Sequence, residues 1–221
     1  MEWNGEKGNI KFYDKALEQK VEIDPNITFI VLDQLAVIKG WNDASDSGIY
    51  SNEVKDITKE PLLVKAHKGG LIAQGFYKEI KDRIAANGGY YTTSLYVAIK
   101  IDNSLQIANI AFKGAALNSW IEFVKKNRSS IYKKAVQITS VEDGKKGSVT
   151  FKTPVFGLKE VSDDTNNIAT ELDIELQTFL KAYLGKTVTE QTQEQEQPKH
   201  EEQPPAKKEP VILPEDDDLP F

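Results

Sequence analysis

Residues 90–101 read Tyr-Tyr-Thr-Thr-Ser-Leu-Tyr-Val-Ala-Ile-Lys-Ile, and they alternate. In an extended chain Tyr91, Leu95, Val97, Ile99 and Ile101 fall on one face, with Tyr90, Thr92, Ser94, Tyr96 and Lys100 on the other. The period of two predicts a half-buried strand that shows aromatics and a lysine to solvent. Residues 27–38, Ile-Thr-Phe-Ile-Val-Leu-Asp-Gln-Leu-Ala-Val-Ile, are apolar on both faces, as suits a central strand covered twice. Further strands are expected at 9–14, 62–67, 105–113, 134–141 and 148–156, the last two joined by a turn at Asp143-Gly144-Lys145-Lys146-Gly147.

Three helices interrupt these strands. Residues 76–86 space Phe76, Ile80 and Ile84 four apart and stop at Gly88-Gly89, and residues 114–127 put Leu117, Trp120, Ile121 and Val124 on one stripe. Residues 164–184 put Ile168, Leu172, Leu176, Phe179, Leu180 and Tyr183 on another, with Asp163 or Asp164 as N-cap and Gly185 as the C′ residue. Many short strands with a few helices and no regular β-α-β alternation predict a mainly β, mostly antiparallel α+β domain on a small barrel or sandwich.

The chain has 221 residues, enough for one or two domains, and a net charge of −6. That charge is unevenly placed. Residues 1–185 carry 24 basic and 24 acidic residues, whereas 186–221 carry 4 and 10, so the whole imbalance belongs to the C-terminal stretch. This stretch is rich in Gln, Glu and Pro, with no aromatic before Phe221, and cannot bury enough apolar surface to offset its ordering entropy. It is expected to be a disordered tail after a domain at 1–185.

No run approaches the roughly 20 apolar residues of a membrane-spanning helix, and the first residues lack the basic-then-apolar order of a signal peptide. A cytoplasmic protein with no membrane partner is expected. The chain has no Cys and two His, His67 and His200, which excludes disulfides and thiolate chemistry and leaves too few imidazoles for a His metal cluster. Gly185-Lys186-Thr187 resembles the end of a phosphate-binding loop, but Leu180 stands where that motif needs glycine, and the segment closes a helix instead of opening one. His67 has no partner pattern for a nucleophile triad, and Asp102, Asp163 and Asp164 read as turn and cap residues. Neither enzymatic activity nor a cofactor is expected.

Charge within the neutral body is segregated. Residues 1–54 hold 5 basic and 10 acidic residues, while 113–152 hold 9 and 3, the cations being Lys113, Lys125, Lys126, Arg128, Lys133, Lys134, Lys145, Lys146 and Lys152. One account is a solvated face with helix C-terminal cations at Lys125, Lys126 and Arg128. The other is a groove for a polyanion. Aromatics favour the second: Trp41, Tyr50, Lys65, His67 and Lys68 form one cluster, and Tyr90, Tyr96 and Lys100 line the outer face of the 90–101 strand. Single-stranded nucleic acid is held without sequence preference by cations along the backbone and flat rings under the bases. Trp120, Phe12, Phe29, Phe112 and Phe151 are assigned to the core instead.

The last eight residues, Pro214-Glu215-Asp216-Asp217-Asp218-Leu219-Pro220-Phe221, put a hydrophobic end directly after four acids. On a linker at 186–213 this reads as a partner-docking peptide, whose Phe enters an apolar pocket while Asp216, Asp217 and Asp218 meet basic residues at its rim. The linker spans about 30 Å as a flexible chain against a domain radius of gyration near 16 Å. The tip therefore reaches its own domain's basic surface, where it is expected to compete with a bound nucleic-acid strand.

This ending resembles the acidic tip of bacterial single-stranded-DNA-binding proteins. Val37-Ile38-Lys39-Gly40-Trp41-Asn42, Gly48-Ile49-Tyr50-Ser51-Asn52-Glu53 and Lys113-Gly114-Ala115-Ala116-Leu117-Asn118 are similar to segments of the bacteriophage-encoded members of that class. The resemblance implies an oligonucleotide/oligosaccharide-binding (OB) fold, an antiparallel barrel here with added helices. It also implies protection of single-stranded DNA in replication, recombination and repair, recruitment of proteins of those pathways through the tip, and a place in a bacterial host's cytoplasm. The longer body and the helices at 76–86 and 164–184 depart from the cellular pattern and leave a monomer or homodimer open in place of a tetramer. The expected DNA contacts are Trp41, Tyr50, Lys65, Lys68, Tyr90, Tyr96, Lys100, Lys113, Lys125, Lys126, Arg128, Lys133 and Lys134; the partner contacts are Asp216, Asp217, Asp218, Leu219, Pro220 and Phe221. A strand-annealing recombination protein and a replisome adaptor that binds no DNA are the alternatives.

Overall fold

The computed structural model describes residues 1–101 and 103–195. Asp102, residues 196–213 of the expected linker and the tip with Asp216, Asp217, Asp218, Leu219, Pro220 and Phe221 lie outside the described residues, as does any competition between the tip and DNA. The elements run β1 (Glu2–Asn4), β2 (Asn9–Asp14), β3 (Gln19–Ile23), β4 (Thr28–Asn42), β5 (Ser47–Ser51), β6 (Leu62–Ala66), β7 (Gly70–Gly75), α1 (Tyr77–Ala86), β8 (Gly89–Ile101), β9 (Ser104–Lys113), α2 (Gly114–Lys126), β10 (Ala135–Lys146), β11 (Val149–Lys159) and α3 (Asp163–Gln195). The fold is a mainly β α+β structure. None of these helices is long and apolar enough to cross a membrane.

The strands form one sheet in the order β3-β2-β1-β9-β8-β4-β5-β6-β7, with β10 and β11 branching from β4. It is mixed: β1 runs parallel to β9 at Glu2 and Ala111, and the other strand pairs are antiparallel, as the mostly antiparallel expectation allows. The ladders also stay open. Lys152 N–H donates to the Gly5 carbonyl (2.6 Å) and the Trp3 indole donates to the Lys152 carbonyl (2.9 Å), bringing β11 back to the end of β1. Pro154, two residues on along the same edge, has no N–H with which to extend that contact into a ladder.

Strand β4 holds the sheet together, paired with β8 along its length and with β10 and then β5 on its other edge. Its continuous apolar run is explained by the cores on both faces. Phe29 and Val31 join Trp3, Leu95, Phe112 and Trp120 beneath α2, while Ile30, Leu32 and Leu35 join Ala98, Leu176 and Leu180 beneath α3. A third core unites Ile38, Ile49, Leu62, Val64, Ile72 and Ile84 between β4–β7 and α1. Trp120 packs edge-on against Phe156 at 5.2 Å, and Phe156 takes the core position expected of Phe151. Phe12 and Phe151 are only half-buried, Phe151 lying across Gly144.

Four local expectations change. The β10–β11 turn contracts to Gly147-Ser148, because Lys146 already pairs with Val149, and Gly147 supplies the positive φ of 62° that so tight a hairpin turn favours. Helix α3 is capped by Ser162, whose Oγ accepts the Thr165 N–H at 3.3 Å, and not by Asp163 or Asp164. Its backbone continues through Gly185 to Gln195, into the stretch expected to begin a disordered linker. Gln and Glu are good helix formers, and one interior glycine costs only about 1 kcal/mol. Phe76, expected inside the first helix, is its extended, exposed N-cap residue.

Candidate nucleic-acid interface

Sheet register assembles the site. Tyr90 on β8 pairs with Lys39 on β4, Lys39 with Tyr50 on β5, Tyr50 with Lys65 on β6, and Lys65 with Leu71 on β7. Paired residues project from the same face, so one row of alternating rings and amines crosses five strands, about 19 Å at the usual strand spacing. Trp41 lies two residues beyond Lys39 on the same face, opposite Gly48, which has no side chain to cover it. Trp41, Tyr50 and Tyr90 are 53%, 40% and 59% exposed. The opposite face of these strands is the third core, so the rings are held on a rigid platform.

Lys68 is exposed in the β6–β7 turn, its backbone N–H donating to Ser47 Oγ (3.1 Å). Lys113, at the end of β9, pairs with Thr92, one step along β8 from Tyr90 on that face. Lys39 is half-buried among these groups. Burial lowers its ammonium below the usual lysine range; Glu53 and Glu2 oppose that shift and Lys113 adds to it.

Two glycines let the platform close. A Cβ on Gly40 would strike the Gly88 carbonyl, and one on Gly88, at φ 87°, would strike the Trp41 carbonyl, so only glycines permit β4 to pass the α1–β8 turn. Across the same junction the Asn42 amide donates to the Asn87 carbonyl (3.2 Å), while its Oδ1 accepts from the Ser45 N–H (2.9 Å) and hydroxyl (2.8 Å). Trp41 is thus anchored by its buried neighbour.

The remaining expected contacts lie elsewhere. Tyr96 shares a face with Tyr90 but is half-buried beneath α3, and its hydroxyl donates to Glu53 Oε2 at 2.8 Å. Burial, then the Glu53 charge, push this phenol well above the usual tyrosine range. It is a packing residue, which corrects the expectation of an exposed ring. Lys100 is exposed but ten residues from Tyr90 along the same strand, about 33 Å away. Lys125, Lys126 and Arg128 are exposed at the end of α2, which packs against the opposite sheet face; Lys133 is exposed just beyond, and Lys134 is paired with Glu160.

Lys39, central to the row, was not among the expected contacts. Its signal in the sequence is the pair Lys39 and Trp41, two apart at the polar end of an otherwise apolar strand. Among the described residues no group of three or more His, Asp or Glu is placed to hold a metal ion. No family model, curated protein or solved structure matches the chain.

Proposed function

We propose that this chain binds single-stranded DNA without strong sequence preference, protects it, and recruits replication, recombination or repair proteins through Asp216–Phe221. The observation that carries the proposal is the row Tyr90–Lys39–Tyr50–Lys65, with Trp41 beside it. Rings spaced by cations on one sheet face backed by a packed core suit bases that stack and phosphates that pass between them, each stacked base contributing about 1–3 kcal/mol. Duplex DNA buries its base faces in its own stack and cannot use the rings. The path β1-β9-β8-β4-β10-β11, with Lys152 returning to Gly5, supports reading the body as an elaborated, partly open OB-type barrel, and the resemblance of residues 37–42, 48–53 and 113–118 supports the phage-encoded class. The stacking role passes to Trp41, Tyr50 and Tyr90; Lys39, Lys65, Lys68 and Lys113 take the phosphates.

Fluorescence anisotropy with labelled oligo(dT) and the corresponding duplex, at several salt concentrations, tests this directly. Strand binding that weakens with salt and exceeds duplex binding is expected; equal affinity for both, or none for the strand at low salt, would overturn it.

A further inference from the structure

A cleft of about 310 Å³ opens between α2 and residues 55–57. Tyr91 and Thr93 contribute to its floor, so it lies on the sheet face opposite Tyr90 and Lys39. Its lining is mixed: Ile57 on one side and Ile121 and Val124 on the other are apolar, Gln34 and Thr93 are polar, and the exposed Lys125 and Arg128 complete it on the α2 side. Both cations are exposed, and neither makes an ion pair among the described residues. The other charged lining groups are already engaged: Asp56 with Lys59 (2.9 Å) and Thr58 (2.6 Å), Lys55 with Asp33 (3.2 Å) and Gln177 (3.4 Å).

We infer that this cleft docks Pro214–Phe221 of the same chain. Lys125 and Arg128 match the acids 215–218, and the apolar side chains Ile57, Ile121 and Val124 match Leu219 and Phe221. The chain is long enough to return. Gln177 touches the cleft wall through Lys55, and Gln195 lies 18 residues on, about 27 Å along a helix. Residues 196–213 then add up to roughly 60 Å of extended chain. Because the cleft and the aromatic row occupy opposite faces, a docked tip and a bound strand coexist. Partner proteins, and not DNA, draw the tip away. This inference rests on reading 214–221 as a docking peptide, and it replaces competition at the DNA face.

The chain has no cysteine, so Ser129→Cys beside the cleft and Leu213→Cys before the tip can carry a dye pair on the full-length protein. High energy transfer is expected, lost with Lys125→Glu/Arg128→Glu, restored when Asp216, Asp217 and Asp218 are also changed to Lys, and unaltered by oligo(dT). Rescue by the charge swap separates docking from a folding defect. Low transfer throughout, transfer released by oligo(dT) and indifferent to Lys125 and Arg128, or transfer seen only between singly labelled chains would each overturn the inference. Oligo(dT) anisotropy read in the same samples reports separately on strand binding.

Discussion

Tyr90 stands directly opposite Lys39 across the β8–β4 ladder, and both point away from the core that fixes their strands. Tyr90→Ala, Tyr50→Ala and Trp41→Ala are each expected to weaken oligo(dT) binding by about 1–3 kcal/mol, roughly 5- to 150-fold. All three rings are exposed, so unfolding free energies should stay within about 0.5 kcal/mol of the parent. Anisotropy and urea melts on the same preparations check both halves.

Lys39, through its lowered pKa, predicts a pH dependence of stability and of strand binding at this face. Its folded-state pKa is lowered, chiefly by burial, so between that value and the ordinary lysine value the unfolded chain binds more protons and stability rises with pH. Lys39→Met should flatten that rise in urea melts across the alkaline range. Strand affinity should fall over the same range, at lower pH than the exposed lysines alone would give, and the Lys39→Met protein should show a weaker affinity without that early fall.

Tyr96 behaves oppositely to Tyr90 despite sharing its face. Tyr96→Phe removes a hydrogen bond to the Glu53 carboxylate, and a stability loss of about 1–2 kcal/mol is expected. Oligo(dT) affinity should remain within twofold. A loss of affinity as large as that of Tyr90→Ala, without a loss of stability, would place Tyr96 in the interface.

Gly40→Ala should be among the most damaging small changes in the chain. The added methyl meets the Gly88 carbonyl where two backbones cross, and overpacking of this kind costs about 1–3 kcal/mol. Thermal melting, with Gly48→Ala as the control whose Cβ meets nothing, tests the contrast.

Period-two alternation located β8 and the apolar run located β4, because both strands bury side chains at regular intervals. The short strands β1, β3, β5 and β7 lack that signal; Gln19–Ile23, for example, has exposed residues at three of five positions. Tyr90 and Tyr96 share a parity and were indistinguishable in sequence. What separates them is α3, which crosses one end of the sheet and leaves the other open. The charge segregation along the chain was real, but Lys113 and Lys125 belong to different faces, since α2 carries the chain from the end of β9 onto the other side of the sheet. Register, which no local pattern reveals, is what put Lys39 between two tyrosines.

Of the three tryptophans, Trp3 and Trp120 are 4% and 2% exposed and Trp41 is 53% exposed, so quenching by stacked bases reports on Trp41. Titration of the full-length protein with poly(dT) at increasing salt should quench this fluorescence. Log K should fall with log salt at about −0.7 per phosphate contact, near −3 if Lys39, Lys65, Lys68 and Lys113 each take one. Trp41→Phe should abolish the quenching while the protein stays folded. Absence of quenching at low salt, or quenching that survives Trp41→Phe, would contradict the assignment of this face as the strand-binding surface.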